Sequence, residues 1–390
     1  MRVLERSSSR TTPGPPIESQ YTRPLPIQPL TTPRPLFNER WPALDGLRGL
    51  AILLVFAFHL PLPVFRSGSY GVIVFFVLSG FLITTILLRE LDRGDRPQLR
   101  WFYGRRAVRL LPALLLVAMG YLILHLTILG SPERWWSQTW PALFYVSNYV
   151  LENGGDLLHM THTWSLAIEE HFYLIWPLAL SAIPTRRRLA AAWAIALAFL
   201  AWRLGLLAFG GDVRRIYYLT DTNAFAPLLG CALAISHHQG RLRAIGSNAS
   251  AISVIALIVF AMFPWDSADR RLLYLAVPVA LLAVVAIWSA LETPVGWLGN
   301  GLLRWFGKIS YGLYLWHAIL IPLPWKELGV DPLLPMVIVP IAIASSSFYL
   351  LEAPLLAKWR RYELRRRPAG TTRASAQPSQ PGGLEPVPTD

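Results

Sequence analysis

Cysteine is nearly absent from this chain: Cys231 is the single example in 390 residues. That excludes a disulfide framework and a thiolate metal cluster, and leaves little basis for a cysteine nucleophile. Charge is also scarce, at 15% of residues against 54% hydrophobic, with a mean hydropathy of +0.41, which excludes the composition of an ordinary soluble domain. Acidic groups are the scarcer sign, with 23 Asp and Glu against 36 Lys and Arg and a net charge of +13. The N-terminal residues hold no short apolar core with a small-residue cleavage site, no segment repeats, and no GxSxG elbow is present to activate a serine.

What is present is one apolar run after another. By length these predict an all-α integral membrane protein, a bundle of about ten transmembrane helices at 43–62, 69–89, 106–129, 163–182, 189–208, 221–238, 248–264, 272–291, 308–324 and 332–354. Most Lys and Arg fall before the first run, in alternate connections and after the last run, which predicts that both termini are cytoplasmic. The positive charge is then inner-surface charge facing the lipid bilayer, and no nucleic-acid partner is implied. Residues 1–36 and 359–390, rich in Pro, Ser, Thr and Arg, read as a disordered leader and a basic then disordered tail around a membrane domain at 37–358, with no room for a second soluble domain.

Ionisable groups inside apolar runs are costly and mark function or cavities. In LDGLRGLAILLVFAFH, Arg48 and His59 are eleven residues apart, three helical turns plus about 20°, so they share a face and lie roughly 16 Å apart along the axis. Asp45 lies one turn before Arg48 on the same face. Near the cytoplasmic end, Arg105, Arg106 and Arg109 in FYGRRAVRLLP have the forked donors that hold phosphate, or alternatively anchor the helix to anionic lipid. In the outer half, His59 and the carboxylates Glu169 and Glu170 of HTWSLAIEEHFYLIWP are expected at similar depth, as a base and its orienting partner would be. Trp164, Phe172 and Tyr173 fit an interfacial belt. Ser79 can hydrogen-bond a ligand, its neighbour Gly80 reads as a packing residue, and His317 in YGLYLWH reads as either a lining or a structural histidine.

Taken in order, LDGLRGLAILLVFAFH, GVIVFFVLSGFLIT, FYGRRAVRLLP, HTWSLAIEEHFYLIWP, YGLYLWH and SSSFYLLEAP resemble the acyltransferase 3 family of integral membrane O-acyltransferases over about residues 40–356. The resemblance implies a ten-helix fold and transfer of a small acyl group, often acetyl, from cytoplasmic acyl-CoA to a hydroxyl of a carbohydrate, glycoconjugate or other metabolite at the bacterial inner membrane. No permanently bound cofactor or metal is implied, and acyl-CoA is a cosubstrate. His59, oriented by Glu169, is then the base. The matching residues Arg48 and Arg105 or Arg106 with Arg109 are the donor side, and Trp164 and Ser165 the acceptor side; beyond the match, Ser79 is expected with the donor and Asp45, Asp221 and His317 with the acceptor. Ile73 stands where many relatives carry a polar or acidic residue, and Asn223 where many carry Arg. A proton-coupled glycoconjugate exporter using the same ionisable residues is the alternative of a different class, and a non-enzymatic membrane scaffold is a third.

Overall fold

Two prolines flank the first apolar run and set its ends. Pro42 occupies the first turn, where its missing N–H costs nothing, and the extended Leu60 precedes Pro61. The resulting α1 is Pro42–His59. The same length logic gives α2 Gly71–Asp92 and α3 Leu99–Leu124, then the short α4 Pro132–Leu143 and α5 Ser147–Glu152. After them come α6 Trp164–Ala182, α7 Arg188–Ala208, α8 Val213–Tyr218, α9 Thr220–Asn223 and α10 Phe225–His238. The chain continues as α11 Ser247–Met262, α12 Arg270–Glu292, α13 Gly301–Leu320, α14 Leu333–Ser347 and α15 Ala353–Arg366. This computed structural model describes residues 41–62, 64–92, 98–263, 270–292 and 296–366, and among them every regular element is helical. The leader expected at 1–36 and most of the expected tail lie outside the described residues.

Six helical stretches are long and apolar enough to cross a membrane: Pro42–His59, Gly68–Asp92, Leu99–Leu129, Thr185–Ala208, Leu273–Leu291 and Leu333–Arg366. Two apolar helices are shorter, Phe225–His238 and Asn248–Met262. The run read as one span at 221–238 is broken, because Ala224 separates the single turn of α9 from α10. The boundary expected at 359 falls within α15, whose last turns carry Arg365 and Arg366.

The bundle is organised by two tight helix pairs, α1 with α13 and α2 with α10. Both are backbone-to-backbone contacts that only glycine permits. A Cβ on Gly49 would sit 1.9 Å from the Leu303 carbonyl oxygen, and one on Gly307 would sit 2.0 Å from that of Asp45. In the second pair, a Cβ on Gly80 would sit 1.8 Å from the Pro227 carbonyl oxygen and one on Gly230 2.0 Å from that of Val77. Small residues at such crossings bring apolar helices together by packing, where lipid supplies no hydrophobic drive. The packing role expected of Gly80 is thus its role in the fold. Cys231 is buried beside the same crossing, its thiol donating to the Gly80 carbonyl at 3.5 Å.

Candidate active site

Helix α1 carries Arg48 and His59 on one side, as their spacing predicts, and each meets a residue of α13. Arg48 Nη2 donates to Ser310 Oγ at 3.3 Å, and the His59 ring lies 4.6 Å from that of the fully buried His317. Asp45 remains at the Arg48 end of this seam, where its carbonyl touches Gly307.

The arginines of α3 divide into two groups. Arg105 is ion-paired with Glu90 and Glu363. Arg106 is ion-paired with Glu170 and lies over the Tyr173 ring, 3.3 Å from its centroid. Among the described residues, Arg48 and Arg109 have no carboxylate within ion-pair distance, and Arg48 is the charge that acts most strongly on Arg109. Arg109 is about 15 Å along α3 from its start, deeper than a helix-end anchor. Two neighbouring guanidinium groups without a carboxylate partner have the chemistry to hold an anion, which would relieve their mutual repulsion. Of the four arginines expected on the donor side, this pair is the part that remains open.

His59 and Glu169 do not form the expected pair. The His59 Nδ1–H donates to the Val55 carbonyl at 2.9 Å, one turn back on its own helix, so that carbonyl sets the tautomer and leaves Nε2 with the lone pair. Glu169 instead accepts from Ser79 Oγ at 3.2 Å and feels Arg106 and Arg48. It belongs to the polar cluster of Arg106, Glu170 and Tyr173, and Ser79 is committed to it.

The exposed His59 ring borders an open cavity of about 380 Å³. Its wall also holds His159, His162, Trp164, Tyr217, Tyr218 and Tyr314. Trp164 is buried within this wall rather than in an interfacial belt, with its ring 4.8 Å from Tyr217 and 5.7 Å from Tyr218. Ser165 is buried, and its hydroxyl is hydrogen-bonded to the Tyr314 hydroxyl, which also donates to the His162 carbonyl at 2.7 Å. Ser165 therefore fixes Tyr314 in the wall. Asp221 accepts from Arg215 at 2.8 Å and from Trp202 at 2.9 Å, which ties α9 to α7 and α8 and leaves its carboxylate engaged away from the wall.

Sequence reasoning singled out neither His162 nor Arg203. His162 adjoins the TWSL segment, which was its available signal. Its Nδ1–H donates to the His159 carbonyl at 3.1 Å, and its buried Nε2 has no partner; the His317 Nδ1–H likewise goes to the Leu313 carbonyl at 3.0 Å, leaving Nε2 unpartnered. Burial pushes the His162 imidazole from the ordinary 6.5 down to about 3, and His59 adds to the effect. The unfolded chain therefore takes up this proton first, and stability falls as pH drops from 6.5 towards 3, by about 1.4 kcal/mol per pH unit. Thermal melting of the purified protein should be lower at pH 5 than at pH 7.5, with a shallower pH dependence in His162→Gln. Parallel pH profiles for the two proteins would remove this assignment.

An all-helical bundle with apolar helices, an arginine pair within two of them and a histidine-lined cavity fits the class to which comparison assigns it. The family profile described as an acyltransferase domain, acyltransferase 3, matches residues 41–350, and the chain belongs to that family. Among named relatives, the chain is 35% identical to peptidoglycan O-acetyltransferase OatA of Listeria monocytogenes, over 80% of this chain and 55% of that protein. It is 34% identical to the putative peptidoglycan O-acetyltransferase YrhL of Bacillus subtilis, over 80% of this chain and 54% of that protein. A putative O-acetyltransferase of Staphylococcus aureus is 30% identical, over 80% of this chain and 57% of that protein. The chain thus spans about half the length of the curated relatives it matches. No solved structure matches it.

Proposed function

We propose that this chain is a ten-span O-acyltransferase of the bacterial inner membrane, with both termini cytoplasmic, which transfers acetyl or another small acyl group from cytoplasmic acyl-CoA to a glycan hydroxyl. The observation that carries the reading is that one rigid helix, α1, holds an anion site at Arg48 and an imidazole with a free Nε2 at His59, about 16 Å apart. In this reading the CoA phosphates rest on Arg48 and Arg109, and the pantetheine arm runs along α1 towards the cavity. The His59 Nε2 takes the proton of the acceptor hydroxyl, whose oxygen attacks the thioester carbonyl. The C–S bond breaks, CoA leaves as the thiolate, and the proton held by His59 is available to it. His317 packs the His59 ring in place, a part earlier expected of Glu169.

A glycan acceptor is supported by the cavity wall. The aromatic faces of Trp164, Tyr217 and Tyr218 suit the C–H faces of a sugar, and the His159 and His162 rings add polar lining beside them. The names of the relatives agree with O-acetyl transfer and lend nothing to the exporter alternative.

Two measurements test the donor path. Arg48→Ala and Arg109→Ala should each weaken acyl-CoA binding in calorimetry about tenfold or more, with Lys restoring only part because it lacks the planar fork. Unchanged donor affinity in both would return the arginines to a structural part. In oriented vesicles, acyl-CoA supplied only on the cytoplasmic face should acylate an acceptor confined to the other face. Activity that requires both substrates on the cytoplasmic face would remove the transmembrane path.

A further inference from the structure

Arg203 of α7 is only 2% exposed, and among the described residues no carboxylate lies within ion-pair distance of it. Its guanidinium is held by oxygens of neutral groups. Nη1 donates to the Ile216 and Thr222 carbonyls at 3.0 and 3.1 Å and to Asn223 Oδ1 at 3.2 Å, and Nη2 donates to the Leu273 carbonyl at 3.0 Å. Its buried Nε has no partner. Those contacts orient the group without cancelling its charge, and an uncompensated charge in apolar surroundings strongly favours a counterion.

The space for one adjoins it. Arg203 lines a small cavity of about 30 Å³ with Ile73, Asn223 and Leu273, and this cavity shares Ser69, Val72, Trp164 and Tyr217 with the larger one that His59 borders. The small cavity adjoins the large one across these four residues, and has room for a group of carboxylate size in place of water. Asn223, whose amide Nδ2 is spent on the Tyr217 and Leu219 carbonyls at 2.9 and 2.8 Å, fixes the loop that forms the floor. The Arg105 and Arg106 guanidiniums, by contrast, already have carboxylates.

We propose that Arg203 is the centre of a carboxylate subsite adjoining the acceptor cavity, and that the acceptor is accordingly an acidic glycan rather than a neutral one. The inference rests on the acyl-transfer reading for the role of the large cavity, but its chemistry is that of binding. A sugar lying against Trp164 presents its reacting hydroxyl to His59 and its carboxylate to Arg203, so the charge selects both the acceptor and its orientation.

Calorimetry on the purified full chain, with a methyl glucuronide and its neutral uronamide as probes, tests this apart from turnover. The uronate should bind at least about tenfold more tightly than the uronamide, as a charge-assisted contact to a buried guanidinium requires. Ile73→Glu places a competing carboxylate in the small cavity and should abolish that preference, whereas the size-matched Ile73→Gln should keep most of it. This pair carries the test even if Arg203→Gln fails to fold. Equal binding of the two sugars by the wild-type protein, or an unchanged preference in Ile73→Glu, would overturn the subsite. Acyl transfer without a preference for the uronate would overturn the subsite and spare the enzyme assignment; a preference abolished by Ile73→Glu, without any transfer, would do the reverse.

Discussion

His59→Ala should lower the turnover number by about 100 to 10,000-fold, the usual scale for loss of a general base, while the purified variant melts close to wild type. The separation of the two effects follows from where the ring lies. Its Nδ1–H is spent on the Val55 carbonyl, its free Nε2 belongs to an exposed ring at the cavity, and truncation enlarges a space that is already open. His59→Gln should fare little better, since an amide cannot take up the proton. Donor binding should survive in both, because the arginine pair lies three turns away. A turnover number near that of wild type in His59→Ala would remove the imidazole from the chemistry.

Gly49→Ala should strongly destabilise the protein. The added Cβ would sit 1.9 Å from the Leu303 carbonyl oxygen and 2.8 Å from its carbon, and backbone cannot swing aside as a side chain does. The α1–α13 crossing must open, at a cost of about 3 kcal/mol or more, which is the upper range for overpacking. Gly205→Ala is the matched control: it lies in α7 with nothing within 4 Å of the new methyl group, and should gain about 0.5–1 kcal/mol from helix propensity. Melting temperature and monodispersity in detergent read both. A Gly49→Ala protein as stable as wild type would mean that the seam is looser than its glycines indicate.

The apolar runs were legible as helices because apolar length and proline placement act locally, but of the ten expected spans six are long and apolar enough to cross, and the short helices α4, α5 and α8 between them were not foreseen; the shared face of Arg48 and His59 followed from helical periodicity alone. What crossed between helices was less so. Depth along an axis says nothing about the direction in which a side chain points around it, so matching His59 to Glu169 by depth missed that α13 brings His317 to the histidine, while α2 and α3 bring Ser79 and Arg106 to the carboxylate. For the same reason Arg105 and Arg106 looked as available as Arg109, although carboxylates on α2, α6 and α15 occupy them. Trp164 resembled an interfacial anchor until the Tyr217–Tyr218 turn covered it. Arg203 gave no local signal, since the oxygens that hold it come from 216, 222, 223 and 273, distant in sequence.

The glycine seams have a consequence for substrate choice. Arg48 and His59 are spaced by eleven residues of a single rod whose backbone is wedged against α13 at Gly49 and Gly307. That rod behaves as a gauge block, because the interval between its two marks cannot stretch or shorten to suit a guest. With the acyl-CoA proposed as donor, the burden of matching falls on that molecule, which must carry its thioester far enough from its phosphates to register with the second mark. Thioesters with clipped arms would be turned away for their reach, whatever acyl group they bear.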